Sequence, residues 1–241
     1  MQHLIAEFSH LDGSALLQPL IEKNLRQQVA LVSSFGTESV VLLHMVASIE
    51  ANTPVIFVQT GKLFDETEVY RLKLQSLFGL RDVRVVGPLA SEITRNDPHG
   101  ALYRSNADLC CHFRKTLPLQ AALSGFSAWI SGRKRYHGGE RALLPTMEIV
   151  DGRLKIDPLA HFTRQDIEDY ITAHDLPRHP LSEAGYGSVG CIPCTVRWDD
   201  PANPRAGRWA GQEKTECGIH WSVNGQPIQV PAPVPLSSNG C

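Results

Sequence analysis

The sequence predicts an α/β fold built on a parallel sheet, and three observations carry that prediction. Short apolar runs alternate with helical segments through the first two-thirds of the chain. A polar Ser/Gly/Thr loop joins the first of these runs to the helix after it. The 241 residues have a balanced globular composition, enough for one well-buried core. Alternation of this kind places helices on the faces of a parallel sheet.

The elements follow in order. Residues 14–28 carry Leu17, Leu20, Ile21 and Leu25 at helical spacing, with Pro19 near the first turn, and predict a leading helix. Val29 to Val32 predicts a strand, Ser33-Ser34-Phe35-Gly36-Thr37-Glu38-Ser39 a loop, and Val40 to Ile49 an apolar helix. Pro54 to Val58 predicts a second buried strand ending in Gln59-Thr60-Gly61. Phe64 to Phe78 predicts a helix whose acidic first turn suits the helix dipole. Val83 to Val86 and Ala128 to Ser131 supply a third and a fourth strand. Thr163, with Asp166 three residues on, is placed as the N-cap of a helix that runs to about Ala173 and ends before Pro177. Beyond Trp221 the Pro-rich run has neither a helical nor a strand period and predicts a mobile tail. The chain therefore divides into an α/β domain (1–200), a segment carrying Cys217 (201–221) and a tail expected to be disordered (222–241).

The net charge of −2 argues against a broad basic face for nucleic acid. The start lacks a basic region followed by an apolar one, and no apolar run approaches the roughly 20 residues that span a bilayer. The expectation is a cytoplasmic protein with no membrane partner. In that compartment six cysteines are expected to be reduced, metal-bound or catalytic.

Two kinds of chemistry stand out. The loop from Ser33 to Ser39 leaves a strand and opens a helix, so its backbone N–H groups and hydroxyls suit phosphate or sulfate, although no Gly-Lys-Ser/Thr of a Walker loop follows. Arg114, Lys115, Arg133-Lys134-Arg135, Arg141, Arg205 and Arg208 are local cations able to hold a small polyanion such as a nucleotide. The other chemistry is sulfur. The pair Cys110-Cys111 and the pair Cys191 and Cys194, with 80 residues between Cys110 and Cys191, could present four thiolates to zinc or to an iron–sulfur cluster. Successive side chains diverge by about 100° on a helix, so the adjacent pair needs a backbone adjustment to reach one centre. Cys217 is left for chemistry, with Lys214 and His220 near it to favour the thiolate. Cys241 has no assigned role.

With these residues assembled, the chain resembles the assimilatory sulfonucleotide reductases, and among them the iron–sulfur type that reduces adenosine 5′-phosphosulfate (APS). The likeness covers about Val29 to His220. It rests on the Ser33–Ser39 loop, Thr60-Gly61-Lys62-Leu63-Phe64-Asp65-Glu66-Thr67, Cys110-Cys111-His112-Phe113-Arg114-Lys115, Gly190-Cys191-Ile192-Pro193-Cys194-Thr195, Arg205-Ala206-Gly207-Arg208-Trp209 and Lys214-Thr215-Glu216-Cys217-Gly218-Ile219-His220.

The resemblance implies a Rossmann-like pyrophosphatase-loop fold, adenine nucleotide alpha hydrolase-like, with a mobile C-terminal segment. It implies one 4Fe-4S cluster on Cys110, Cys111, Cys191 and Cys194, serving as a fixed charge and scaffold. Cys217 would attack the sulfur of APS, AMP would leave, and reduced thioredoxin or a glutaredoxin-like reductant would release sulfite from an S-sulfocysteine. Lys115 would approach cluster and sulfate, and Arg205, Arg208 and Arg141 would hold the phosphosulfate. Ser33, Ser34, Gly36, Thr37, Glu38, Ser39, Thr60, Gly61, Gly132, Arg133 and His220 would complete the substrate site. Gln59 replaces the family's common Asp, and the Phe35 form of the loop also occurs in reductases of the 3′-phosphorylated substrate, PAPS. The alternatives are therefore PAPS reduction, an ATP pyrophosphatase-type sulfur-transfer enzyme, or an iron–sulfur or zinc redox sensor. The oligomeric state stays open, a homo-oligomer included.

Overall fold

The structure, a computed structural model, describes residues 1–198, 200, 203–210, 214, 216 and 217. Two short helices, α1 (Gln2–Phe8) and α2 (Gly13–Pro19), lead the chain. The expected helix over residues 14–28 is interrupted: at Pro19 it widens into a π turn, Leu20–Asn24, and the Leu25 N–H donates to the Leu20 carbonyl at 2.8 Å. The chain then reverses through Gln27, at φ 63°. Strand β1 (Val29–Val32), helix α3 (Ser39–Ile49), strand β2 (Val55–Val58), helix α4 (Asp65–Leu77) and strand β3 (Val83–Val86) follow within a residue or two of expectation.

Between β3 and the next strand lie four short helices, α5 (Ala90–Asn96), α6 (Leu102–Ser105), α7 (Ala107–Cys111) and α8 (Leu117–Ala122), with a π turn at His112–Thr116 joining α7 to α8. Strand β4 (Ala128–Ile130) leads to a hairpin of β5 (Met147–Val150) and β6 (Arg153–Ile156). Helices α9 (Arg164–Ala173) and α10 (Pro180–Glu183) follow, and a 3₁₀ turn, Ile192–Cys194, carries the second cysteine pair. The Thr163 cap forms as expected: its Oγ1 accepts from the Asp166 N–H at 3.2 Å, and the Asp166 carboxylate accepts from the Thr163 N–H at 2.7 Å.

The six strands lie in the order β3-β2-β1-β4-β6-β5, parallel except for the antiparallel β5–β6 hairpin. That hairpin is the departure from the expected sheet. Its turn residues, Asp151 at φ 48° and Gly152 at φ 73°, have the two positive φ values of a type I′ turn, the geometry that an Asp-Gly pair favours. Alternate strand residues face opposite layers. Val29, Leu31, Val55, Phe57, Ala128 and Ile130 join the larger core with α2, α3 and α9, whereas Ala30, Ile56, Val58 and Trp129 pack with Leu119 and Leu123 of α8. The strand order reverses between β1 and β4, and ligands of open α/β sheets bind in the crevice opened there, at the carboxyl ends of the strands. No described helix is long and apolar enough to cross a membrane. His220, Cys241 and the expected tail at 222–241 lie outside the described residues.

Candidate active site

A cleft of about 1320 Å³, part of it open to solvent, occupies that reversal point. Its floor is the loop after β1 and the turn after β4; its far wall is formed by residues 187–190 with Arg205, Arg208, Glu216 and Cys217. Fourteen sequence-predicted residues converge on it: Ser33, Ser34, Gly36, Thr37, Glu38, Ser39, Thr60, Lys115, Gly132, Arg133, Arg141, Arg205, Arg208 and Cys217. Gly61, at φ 74° with Arg114 Nη1 3.5 Å from where a Cβ would stand, lies outside the lining.

The β1 loop turns at Phe35, which holds φ 49° although it has a side chain. The ring compensates for that conformation: it is fully buried and meets Phe57 edge-on at 5.3 Å, while its N–H donates to Ser33 Oγ at 3.2 Å. Glu38 sits just ahead of α3. Its carboxylate accepts from Lys134 Nζ at 2.8 Å and from the Tyr136 hydroxyl, and meets His137 Nε2 at 3.1 Å. Burial raises the Glu38 pKa, but Lys134 and His137 outweigh it and hold the carboxyl well below its usual range. Burial lowers His137 to about 4, so its imidazole is neutral.

Arg133 lines the floor, yet its guanidinium is committed elsewhere. It donates to Asp157 at 2.8 Å and to Glu148 at 3.0 Å, and Glu148 also accepts from Lys155 at 2.9 Å. Arg133, expected as a substrate contact, lines the cleft and closes a buried ion-pair network with its guanidinium.

The far wall differs. Lys115 Nζ lies 3.3 Å from Cys217 Sγ, and Arg208 Nη2 lies 3.9 Å from it. Arg208 also donates to the Val189 carbonyl at 3.3 Å and lies over the Trp209 ring at 4.5 Å. Only glycine at 190 allows this, because a Cβ there would stand 2.2 Å from Arg208 Nη2. Arg141 donates through Nη2 to Glu216 at 2.7 Å, with a second contact from Nε, and Arg205 lies 3.5 Å from the same carboxylate. Burial, with Arg141 beside it, lowers Arg205 to about 10.

The hydrogen bond with Cys111 is the largest influence holding the Cys217 thiol well below its usual range. Burial opposes it, and Lys115, Arg208 and Arg205 reinforce it. Lys214, expected beside Cys217, instead pairs with Asp108.

The four remaining described cysteines line a smaller cavity with Thr60, Arg114 and Lys115, and Thr60 and Lys115 border both cavities. All described cysteines are free thiols. Cys110 and Cys111 end α7, whose Asn106 cap accepts from the Leu109 N–H at 2.8 Å. Cys111 keeps ordinary helical angles (φ −66°, ψ −39°), so the expected adjustment lies in the π turn that follows rather than in a strained cysteine. A bridge between Leu63 and Cys191 and another between Thr195 and Arg208 tie the second pair to the β2 loop and to the Cys217 segment. Burial raises Cys110 to about 11, with Cys191 and Cys194 adding to it and Arg114 opposing. Among the described residues, no three His, Cys, Asp or Glu side chains form a site for a single metal ion.

His137, Glu216 and the 187–190 wall were missed as site residues. Lys134 was legible beside Arg133. The wall, with Gly187, Gly190 and no charged side chain, carried no such signal.

A six-stranded sheet with a cation-lined cleft at its reversal point defines an α/β protein of the adenine nucleotide alpha hydrolase-like fold. More narrowly, the chain belongs to the phosphoadenosine phosphosulfate reductase domain family, which matches residues 28–197. It is 46% identical over 219 residues to an adenosine 5′-phosphosulfate reductase of Mesorhizobium japonicum, covering 91% of this chain and 86% of that protein. It is 36% identical to a phosphoadenosine 5′-phosphosulfate reductase of Gloeobacter violaceus, covering 91% and 93%. A solved phosphoadenylyl-sulfate reductase of Candida auris shares the fold with a TM-score of 0.68 at 24% identity, over 81% of this chain and 95% of that one.

Proposed function

We propose that this enzyme reduces APS to sulfite and AMP through Cys217, in sulfate assimilation. One observation carries the reading: the only described cysteine that lines the cleft has an ammonium 3.3 Å and a guanidinium 3.9 Å from its sulfur, and the preceding residue, Glu216, holds Arg141 and Arg205. The Cys217 thiolate attacks the sulfonate sulfur, the S–O bond to AMP breaks with its electron pair on the phosphate oxygen, and an S-sulfocysteine remains. A dithiol such as reduced thioredoxin supplies two electrons, leaving as a disulfide while sulfite and the Cys217 thiolate are released. Lys115, Arg205 and Arg208 neutralise the oxygens of the phosphosulfate and keep Cys217 ionised.

Cys110, Cys111, Cys191 and Cys194 fit a 4Fe-4S cluster. They are four free, largely buried sulfurs around one cavity, the donor set that a cluster held by thiolates takes. When bound, the cluster supplies a fixed charge beside Lys115. Were Cys111 a cluster ligand, its hydrogen bond to Cys217 would be lost, and Lys115, Arg208 and Arg205 would be left to support the thiolate.

The test is dithiol-dependent sulfite release by anaerobically purified protein, with APS and PAPS side by side, alongside iron and acid-labile sulfide analysis. Turnover of APS in preference to PAPS is expected. The reverse preference would keep Cys217 but change the substrate, and no sulfite from either would overturn the reading.

A further inference from the structure

A carboxylate already occupies arginines that the cleft offers to a ligand. Glu216 meets Arg141 through both of its oxygens and lies 3.5 Å from Arg205, and all three side chains are largely buried, between 7% and 14% exposed. This fork-on-fork pairing is the one a guanidinium makes with phosphate or sulfonate oxygens, so carboxylate and ligand compete for the same donors.

The partners of Arg133 make the contrast. Asp157 and Glu148 lie immediately after β6 and within β5, on the sheet that carries the network. Glu216 belongs to no strand or helix and reaches Arg141 from 75 residues downstream. Around it stand Lys115, Arg208 and the Cys217 sulfur, so Glu216 sits among the cations that line the cleft.

We propose that Glu216 is a built-in competing anion. It holds Arg141 and Arg205 until an anionic ligand displaces it, and it thereby sets the affinity of the cleft for the phosphosulfate. The proposal rests on the cleft being the anion site of the reaction above. Because Glu216 precedes Cys217 directly, displacement also shifts the residue next to the nucleophile.

The experiment measures binding of inorganic sulfate to the full chain by calorimetry at low ionic strength. Glu216→Gln keeps the shape and removes the charge, and sulfate is expected to bind about tenfold more tightly, equivalent to about 1.4 kcal/mol. Glu216→Asp keeps the charge on a shorter arm and should tighten sulfate by a few-fold. Should the Gln variant melt early, the Asp variant carries the test. Unchanged or weaker sulfate binding in folded variants overturns the proposal and makes Glu216 a support for its arginines. Absence of sulfate binding in wild type and variants alike also overturns it. Sulfite production by the wild-type protein is read separately. If sulfite forms without a sulfate gain in the variants, the reaction stands and the competition falls; a gain without sulfite shows the converse.

Discussion

The floor and the far wall of the cleft are equally crowded with charge and use it in opposite ways. Around the floor three cations meet three carboxylates: Arg133 pairs with Asp157 and with Glu148, which Lys155 also reaches, and Lys134 pairs with Glu38. On the wall Lys115, Arg141, Arg205 and Arg208 share Glu216 and the Cys217 sulfur. Matched charges in low dielectric hold a scaffold together, because removing one partner strands the other. Cations gathered on one shared carboxylate and a sulfur at the edge of a cleft suit an anionic ligand that exchanges with that carboxylate.

The largest expected effect lies on the wall. Cys217→Ser should abolish sulfite formation while AMP binding and thermal stability stay at wild-type level; residual turnover above background would remove Cys217 as the nucleophile. On the floor, Asp157→Asn should cost about 3–5 kcal/mol of stability by leaving Arg133 buried without its closest partner. Urea unfolding measures this, and a loss below about 1 kcal/mol would mean that Glu148 and water compensate, blurring the contrast between the two regions.

Arg205→Ala should weaken APS binding by about 1.5–3 kcal/mol, the value of a charge-assisted hydrogen bond, with little change in melting temperature. A melting loss with unchanged affinity would move Arg205 from the site class to the scaffold class.

The smallest effect is one of pH. His137 and the fully buried His179 both have pKa values lowered by burial to about 4. Between 4 and 6.5 the unfolded chain binds more protons, so stability falls as pH drops through that window. At pH 5.5 the loss should be about 1 kcal/mol per histidine relative to pH 7.5. His179 accepts from the Leu181 N–H at 3.1 Å through Nδ1 and meets Thr67 Oγ1 at 3.2 Å, so Gln in its place should remove its share of the slope. An unchanged slope would show that His179 is protonated in the fold.

How much could be read in advance follows from the range of the interactions involved. The first three strands, the two long helices between them and the Thr163 cap were legible because each depends on residues within a turn or a pleat of one another. The β5–β6 hairpin was missed although Asp151-Gly152 announces it, since Lys155 and Glu148 put charges where a buried strand is expected to be apolar. Their pairing across the hairpin is what makes those positions tolerable. The cations of the cleft were legible as a group. Which carboxylate each of them meets was not, because Arg133 and Arg141 look alike in sequence and differ only in what the fold sets opposite them.

By itself the sequence determined the alternation that makes the sheet parallel, the loop able to meet an anion after β1, and the cysteine spacing. These are set by local periodicity and by the short reach of side chains. The tertiary structure decided the rest: that the strand order reverses between β1 and β4 and opens the cleft there, that Lys115 stands between both cavities, and that Glu216 holds the arginines that Arg133 superficially resembles. Charge is long-ranged and its partner is chosen in space. Only the folded chain states which carboxylate each arginine meets and which arginines are left to share one.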